Sequence, residues 1–196
     1  MKNVHIVGKV EQGKEDTNTV VEKRLEYLQN LVDEGKLDSS IFEYIVKNGI
    51  LVCPASTKWH GNYEGGLFDH CKAMYEAFSE MTERLGLKWT RPQSVGNVSW
   101  GHDVCKLDAY VKNTENSSEN AYKYNPESTF HGHGMKSAVI LQQHARLTEE
   151  ELYCIIYHMG AYETNQWEAY EKAIKKYPNV LFTHTADMCA SKIVGV

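Results

Sequence analysis

Apolar residues recur at helical spacing along most of the chain. After a polar opening stretch, Val20, Val21, Leu25, Leu28, Leu31 and Val32 share one face of a helix that Gly35 ends. Asp38 or Ser39 caps a second helix carrying Ile41, Phe42, Ile45 and Val46, closed by Asn48-Gly49. Residues 51–65 lose that rhythm and read as a loop. Gly65-Gly66 opens a long helix through Leu67, His70, Met74, Phe78 and Met81, ending near Gly86. His70 falls on the face of Met74 and Phe78, so the pattern points it inward. A helix from about Ser94 to Ala109 carries His102-Asp103 and sets Lys106 one turn beyond His102 on the same face.

Residues 111–130 are the most polar stretch and read as an exposed loop with a small hairpin. A further helix starts near Gly134. Thr148 and Glu151 have capping-box spacing and open a helix reaching His158 and Met159. The run Glu149-Glu150-Glu151 reads as a solvated first turn. An amphipathic helix from about Asn165 to Tyr177 stops at Pro178. A last helix, from about Val180 to Val194, places His184 and Asp187 on one face. The predicted class is all-α, with residues 1–18 as an N-terminal arm and 19–196 as a single helical domain.

Composition narrows the function more than the fold. A hydrophobic share of 42% over 196 residues suits an ordinary soluble domain. The net charge of −5 argues against a protein that coats nucleic-acid backbone. No apolar run is long enough for a bilayer, and the first residues lack a signal-peptide pattern, so a cytoplasmic protein without a membrane partner is expected. The five cysteines include no Cys-x-x-Cys pair, which predicts buried, reduced thiols rather than a thiolate zinc site. The oligomeric state is not legible.

The histidines and aspartates carry the chemistry. His70, His102, Asp103, His133, His158 and Asp187 sit at inward-facing or helix-terminal positions. Mixed imidazole and carboxylate ligands suit Mn²⁺, Fe²⁺, Co²⁺, Ni²⁺ or Zn²⁺, whereas Mg²⁺ prefers oxygen alone. The set exceeds one catalytic ion's needs and serves two if Asp103 bridges, an arrangement that clamps a phosphoryl oxygen. Lys106 beside such a site reads as an anion holder. His60 reads as a substrate contact or a loop cap, and His131 competes with His133. His184 reads as a hydrogen-bonding neighbour of the ligands. Trp59, Tyr63, Tyr110 and Tyr162 flank the motifs and read first as packing residues.

The ordered set resembles the HD-domain metal-dependent phosphohydrolases. His60 to His70, in His-Gly-Asn-Tyr-Glu-Gly-Gly-Leu-Phe-Asp-His, is similar to the opening motif of the family's YhaM-type bacterial members. Gly101-His102-Asp103-Val104-Cys105-Lys106 matches the His-Asp-x-x-Lys segment. Gly132-His133-Gly134, His158-Met159-Gly160 and Thr185-Ala186-Asp187-Met188 resemble the later motifs, so the likeness spans roughly residues 55–195. It implies an HD-type helical bundle with a metal site in its core. It implies that His70, His102, Asp103 and Asp187 hold one ion, that His133 and His158 with Asp103 hold a second, and that Lys106 binds the scissile phosphate. The implied activity is hydrolysis of a phosphate ester of a nucleotide or related small molecule by metal-activated hydroxide. A 3′→5′ exonuclease or cyclic-oligonucleotide phosphodiesterase, and a nucleotide sensor without turnover, are the alternatives. The fifty or so residues before the first match read as helices, not as the OB-fold domain of YhaM-type proteins, which favours a small substrate over a polynucleotide.

Overall fold

The computed structural model describes residues 17–114, 120–128, 132–162 and 167–196. The proposed arm, His5, His131 and the tip of the polar loop lie outside the described residues, apart from Thr17 and Asn18, which are already helical. The described chain is mostly α-helix, as the hydrophobic pattern predicts. Its helices are α1 (Thr17–Asp33), α2 (Ser39–Lys47), α3 (Gly66–Leu85), α4 (Ser94–Gly101), α5 (His133–Gln142), α6 (Glu149–Ile156), α7 (Trp167–Lys176) and α8 (Asn179–Met188). The strands β1 (Tyr110–Lys112) and β2 (Tyr122–Tyr124) pair antiparallel, Val111 opposite Lys123, and form the hairpin foreseen in the polar stretch. Among the described residues, no helix is long and apolar enough to cross a membrane.

Every residue of α4 is buried, because its small and apolar side chains let neighbours close in from all sides. Helix α3 packs against α4 and α8, and α6 packs against α4, α5 and α8. Leu28, Ile41, Ile45, Leu67, Trp100 and Leu141 build one part of the core, and Met74, Phe78, Val98, Cys154 and Val180 another. Asp38 caps α2 by accepting from Ser40 N, and Thr148 and Glu151 make the reciprocal capping box at α6.

Local pattern misses where α4 stops. The helix expected to run to Ala109 ends at Gly101, and Val104–Leu107 form a separate 3₁₀ turn. Asp103, at φ −110° and ψ 17°, lies in the bridge region between them. The freed Cys105 N–H donates to Ser137 Oγ of α5 at 3.2 Å, so a tertiary partner takes over from the helix. Lys106 consequently leaves the face of His102 and folds back onto Asp103. Helix α6 likewise stops at Ile156, ahead of His158, and α8 passes into a π-helical turn over Cys189–Val194.

The acidic run is the clearest departure. Only Glu149 is solvated, pairing with Lys176 at 2.5 Å. Glu150 and Glu151 are 4% and 0% exposed. Glu150 accepts from Thr90 N and Oγ1 at 2.9 and 2.7 Å and from Asn179 Nδ2 at 2.8 Å. Glu151 accepts from Arg91 Nε and Nη2 and from Asn97 Nδ2, each at 2.9 Å, and from Thr148 N at 2.8 Å. The partners other than Thr148 lie 29 to 60 residues away in sequence, beyond what a helix-start motif can reveal.

Candidate metal centre

His70 enters from the second turn of α3, and the start of that helix is set by Gly65-Gly66. Gly65 takes φ +86°, and a side chain there would strike the Arg24 guanidinium, as one on Gly66 would strike the Gly61 backbone. Arg24 secures the turn by donating to Leu51 O at 2.7 Å and pairing with Asp69 at 3.3 Å. His102 and Asp103 follow the end of α4, His133 is the first residue of α5, His158 follows the end of α6, and Asp187 lies in the last turn of α8.

The six side chains converge. His70 Nε2 lies 3.2 Å from His102 Nε2, 3.2 Å from Asp187 Oδ1 and 3.6 Å from Asp103 Oδ2. His102 Nε2 lies 3.3 Å from Asp103 Oδ2. On the other side of the same carboxylate, Asp103 Oδ1 lies 2.7 Å from His133 Nε2 and 3.7 Å from His158 Nε2. Asp103 is thus common to two groups of side chains, as a bridging ligand would be. The ligand atoms of His70, His102 and Asp187, and those of His102, Asp103 and His158, lie within 4.8 Å of one another, close enough to share an ion.

Helix ends orient the rings. His102 Nδ1–H donates to Ser99 O at 2.9 Å, and His158 Nδ1–H donates to Ile155 O at 2.7 Å. Each acceptor is a carbonyl left over at the C-terminus of its helix, three residues back. His70 Nδ1–H donates to Val196 O at 3.0 Å. With Nδ1 protonated on these rings, each Nε2 turns a bare lone pair into the cluster. The two Nε2 atoms of His70 and His102, 3.2 Å apart, are brought together by a shared proton or by a cation between them.

Buried valences remain open. His158 Nε2 has no hydrogen-bond partner, and Asp103 Oδ1 has only the His133 ring nitrogen beside it, at 2.7 Å. Three other described buried side-chain atoms lack a partner, Ser94 Oγ, Ser99 Oγ and Trp100 Nε1, but these are neutral groups of α4. A buried carboxylate oxygen and imidazole left open on one cluster fit a divalent cation.

The electrostatics differ from ring to ring: despite their burial, His102 and His133 are held above the ordinary histidine value by Asp103, whereas His158 is held below it. Burial pushes His158 down to about 3, helped by the facing His102, so it stays neutral with its lone pair available. Burial works against charge on His133, but Asp103 outweighs it and pushes the pKa up to about 10. Burial also opposes charge on Lys106, yet its ammonium, 2.7 Å from Asp103 Oδ2, is held above its ordinary value and stays protonated. Asp187 is held below the usual carboxylate range, its burial overcome by the His70, His102 and His158 rings.

A cavity of about 570 Å³ opens onto the cluster. Asp103, Lys106, His133, His158 and Asp187 form part of its wall, and His60 lines it too, its ring centroid 5.4 Å from that of His70. Burial and the neighbouring Lys106 push His60 down to about 4. His184 contributes no ligand: its Nδ1–H donates to His158 O at 2.8 Å, as expected of a supporting neighbour.

Sequence reasoning missed Cys105 and Tyr124. The Cys105 sulfur lies 3.4 Å from His133 Nδ1, where the other rings have a carbonyl. Its place two residues after Asp103 was the only signal. Tyr124 lines the cavity from β2, a strand the hydrophobic pattern hardly marks. Two lysines that could have served a nucleic-acid groove are engaged elsewhere: Lys136 is buried on Asp108 at 2.6 Å, and Lys72 stacks over Tyr27. Comparison of the chain with protein-family models, curated proteins and solved structures finds no match, so the chemistry rests on the residues themselves.

Proposed function

We propose that this chain is a metal-dependent phosphohydrolase of the HD type that cleaves a small phosphate ester, a nucleotide above all. One observation carries the reading. Four histidines and two aspartates from five parts of the chain converge on one cluster, and Asp103, His133, His158 and Asp187 of that cluster line one cavity, with a carboxylate oxygen and an imidazole nitrogen left open there. His70, His102, Asp103 and Asp187 would hold one divalent ion, and His133 and His158 a second, with Asp103 shared. The imidazole-rich set favours Mn²⁺, Fe²⁺, Co²⁺, Ni²⁺ or Zn²⁺ over Mg²⁺. Such ions acidify water and neutralise phosphoryl oxygens.

The chain's own groups supply the rest. Asp103 orients the attacking water. The Lys106 ammonium faces the cavity and meets the negative charge that grows on the phosphoryl oxygens. A bond forms from water oxygen to phosphorus, the bond to the leaving oxygen breaks, and solvent protonates that oxygen. The dispersed, mostly paired lysines favour a small substrate over a polynucleotide.

The test is phosphate release by chelator-treated protein reloaded with each ion, across nucleoside mono- and triphosphates, cyclic nucleotides and short oligonucleotides. Turnover with Mn²⁺ or Co²⁺ that vanishes on chelation is expected. Nucleotide binding without product would mark a sensing domain instead, and no metal uptake would end the reading.

A further inference from the structure

The metals and Lys106 account for one phosphoryl group, and the cavity offers more. Its volume of about 570 Å³ falls in the range that encloses a drug-sized ligand. Three exposed rings border it from three separate parts of the chain: Trp59 at 79% exposure, Tyr124 at 71% and Tyr162 at 62%. Bare rings this size are uncommon on a surface that nothing covers, and here they gather at one opening.

Trp59 stands on a fixed loop. Its N–H donates to Ser56 Oγ at 2.8 Å, and that hydroxyl donates to His60 O at 2.8 Å. The bond to Ser56 fixes the Trp59 backbone; among the described residues no ring packs on the indole, which faces solvent at the cavity edge.

Two lysines add the second half. Lys58 and Lys192 line the same cavity, are exposed, and make no ion pair among the described residues. Elsewhere lysines are mostly taken: Lys36 by Glu34, Lys172 by Glu168, Lys175 by Glu171 and Lys176 by Glu149. In a chain of net charge −5, free ammonium groups at one mouth do not follow from overall basicity.

Resting on the phosphohydrolase reading, we propose that the substrate is a nucleoside polyphosphate. Its base stacks on the Trp59 side of the aromatic rim, and its phosphates beyond the scissile one lie against Lys58 and Lys192. A short single strand would present similar groups, but Lys136, in the neighbouring pocket that shares Tyr124 and His133 with this one, is consumed by Asp108.

The experiment compares kcat/KM for a nucleoside triphosphate, its monophosphate, a dinucleotide and p-nitrophenyl phosphate. It uses the wild-type protein, Trp59→Ala and the double variant Lys58→Gln/Lys192→Gln. The wild type should prefer triphosphate to monophosphate by roughly 100-fold, and the double variant should cut that ratio by roughly 10-fold or more. Trp59→Ala should cut the preference for nucleotide over p-nitrophenyl phosphate by roughly 10-fold, since stacking on an aromatic ring contributes that much per base. Ratios that the substitutions leave alone overturn the inference while the phosphohydrolase reading stands. A dinucleotide preferred to the triphosphate overturns it in favour of a strand substrate. If no ester is turned over, the phosphohydrolase reading fails, and tryptophan fluorescence decides the rim. Quenching by the triphosphate that is lost in Trp59→Phe supports a polyphosphate site, and its absence in the wild type overturns one.

Discussion

The two ends of α4 each hold a cluster of buried charge, and the two are built on opposite principles. Before its N-terminus, Arg91 and the first-turn Asn97 meet Glu151, and Glu150 meets Thr90 and Asn179. Beyond its C-terminus lie His102 and Asp103. Helices α6 and α8 run the same way, from Glu150, Glu151 and Asn179 at the first end to His158 and Asp187 at the second. At the first end every carboxylate oxygen of Glu150 and Glu151 has a donor. At the second, His158 Nε2 has no partner and Asp103 Oδ1 has only the His133 ring nitrogen beside it. A saturated buried network specifies a structure, whereas an unsaturated one keeps valences for something that is not protein.

The contrast breaks most sharply under substitution. Asp103→Asn should lower turnover at least 1,000-fold, about 4 kcal/mol of transition-state stabilisation, and abolish binding of the second ion, as steady-state kinetics and metal analysis would record. Glu151→Ala should instead destabilise the fold by about 2–4 kcal/mol in urea unfolding, because Asn97 Nδ2 and Thr148 N lose their buried acceptor and the part-buried Arg91 keeps only Asp38, 3.6 Å away. The protein that remains folded should keep its metal content. If the two variants exchanged phenotypes, the division into a structural end and a functional end would be wrong.

Ion binding sharpens the comparison. Mn²⁺ at 100 times its Kd should raise stability by about 2.7 kcal/mol in the wild type, and by markedly less in Asp187→Asn. The smallest effect concerns acid. Burial raises the Glu151 pKa, but Arg91, Thr148 N and Asn97 together hold it below the ordinary value. A depressed carboxylate contributes stability that is present above its unfolded pKa and lost as pH falls through the folded one. Arg91→Ala should therefore move the acid-unfolding midpoint upward in pH, followed by circular dichroism.

Much of this was legible in the residues. Helical periodicity placed the α-helices, and the capping box at Thr148 fixed the start of α6, because those signals are local. The six candidate ligands were legible because imidazoles and carboxylates on apolar faces need a partner. What stayed hidden depends on distant contacts. Nothing near Glu150 announces Thr90 or Asn179, so the acidic run read as solvated. The break after α4 is sustained by Ser137, which pulled Lys106 from the His102 face to the Asp103 carboxylate. Exposure of Trp59 and Tyr162 is equally a property of the folded surface, since the same rings in sequence read as packing.

The length of α4 has a consequence for how the chain can vary. Eight residues rise about 12 Å, and both ends are locked to different partners. Deleting one residue would turn everything beyond it by about 100° and draw it back 1.5 Å, with no slack at either end to absorb the change. The helix acts as a ruler: its side chains can be exchanged for others of like volume, but its residue count cannot drift.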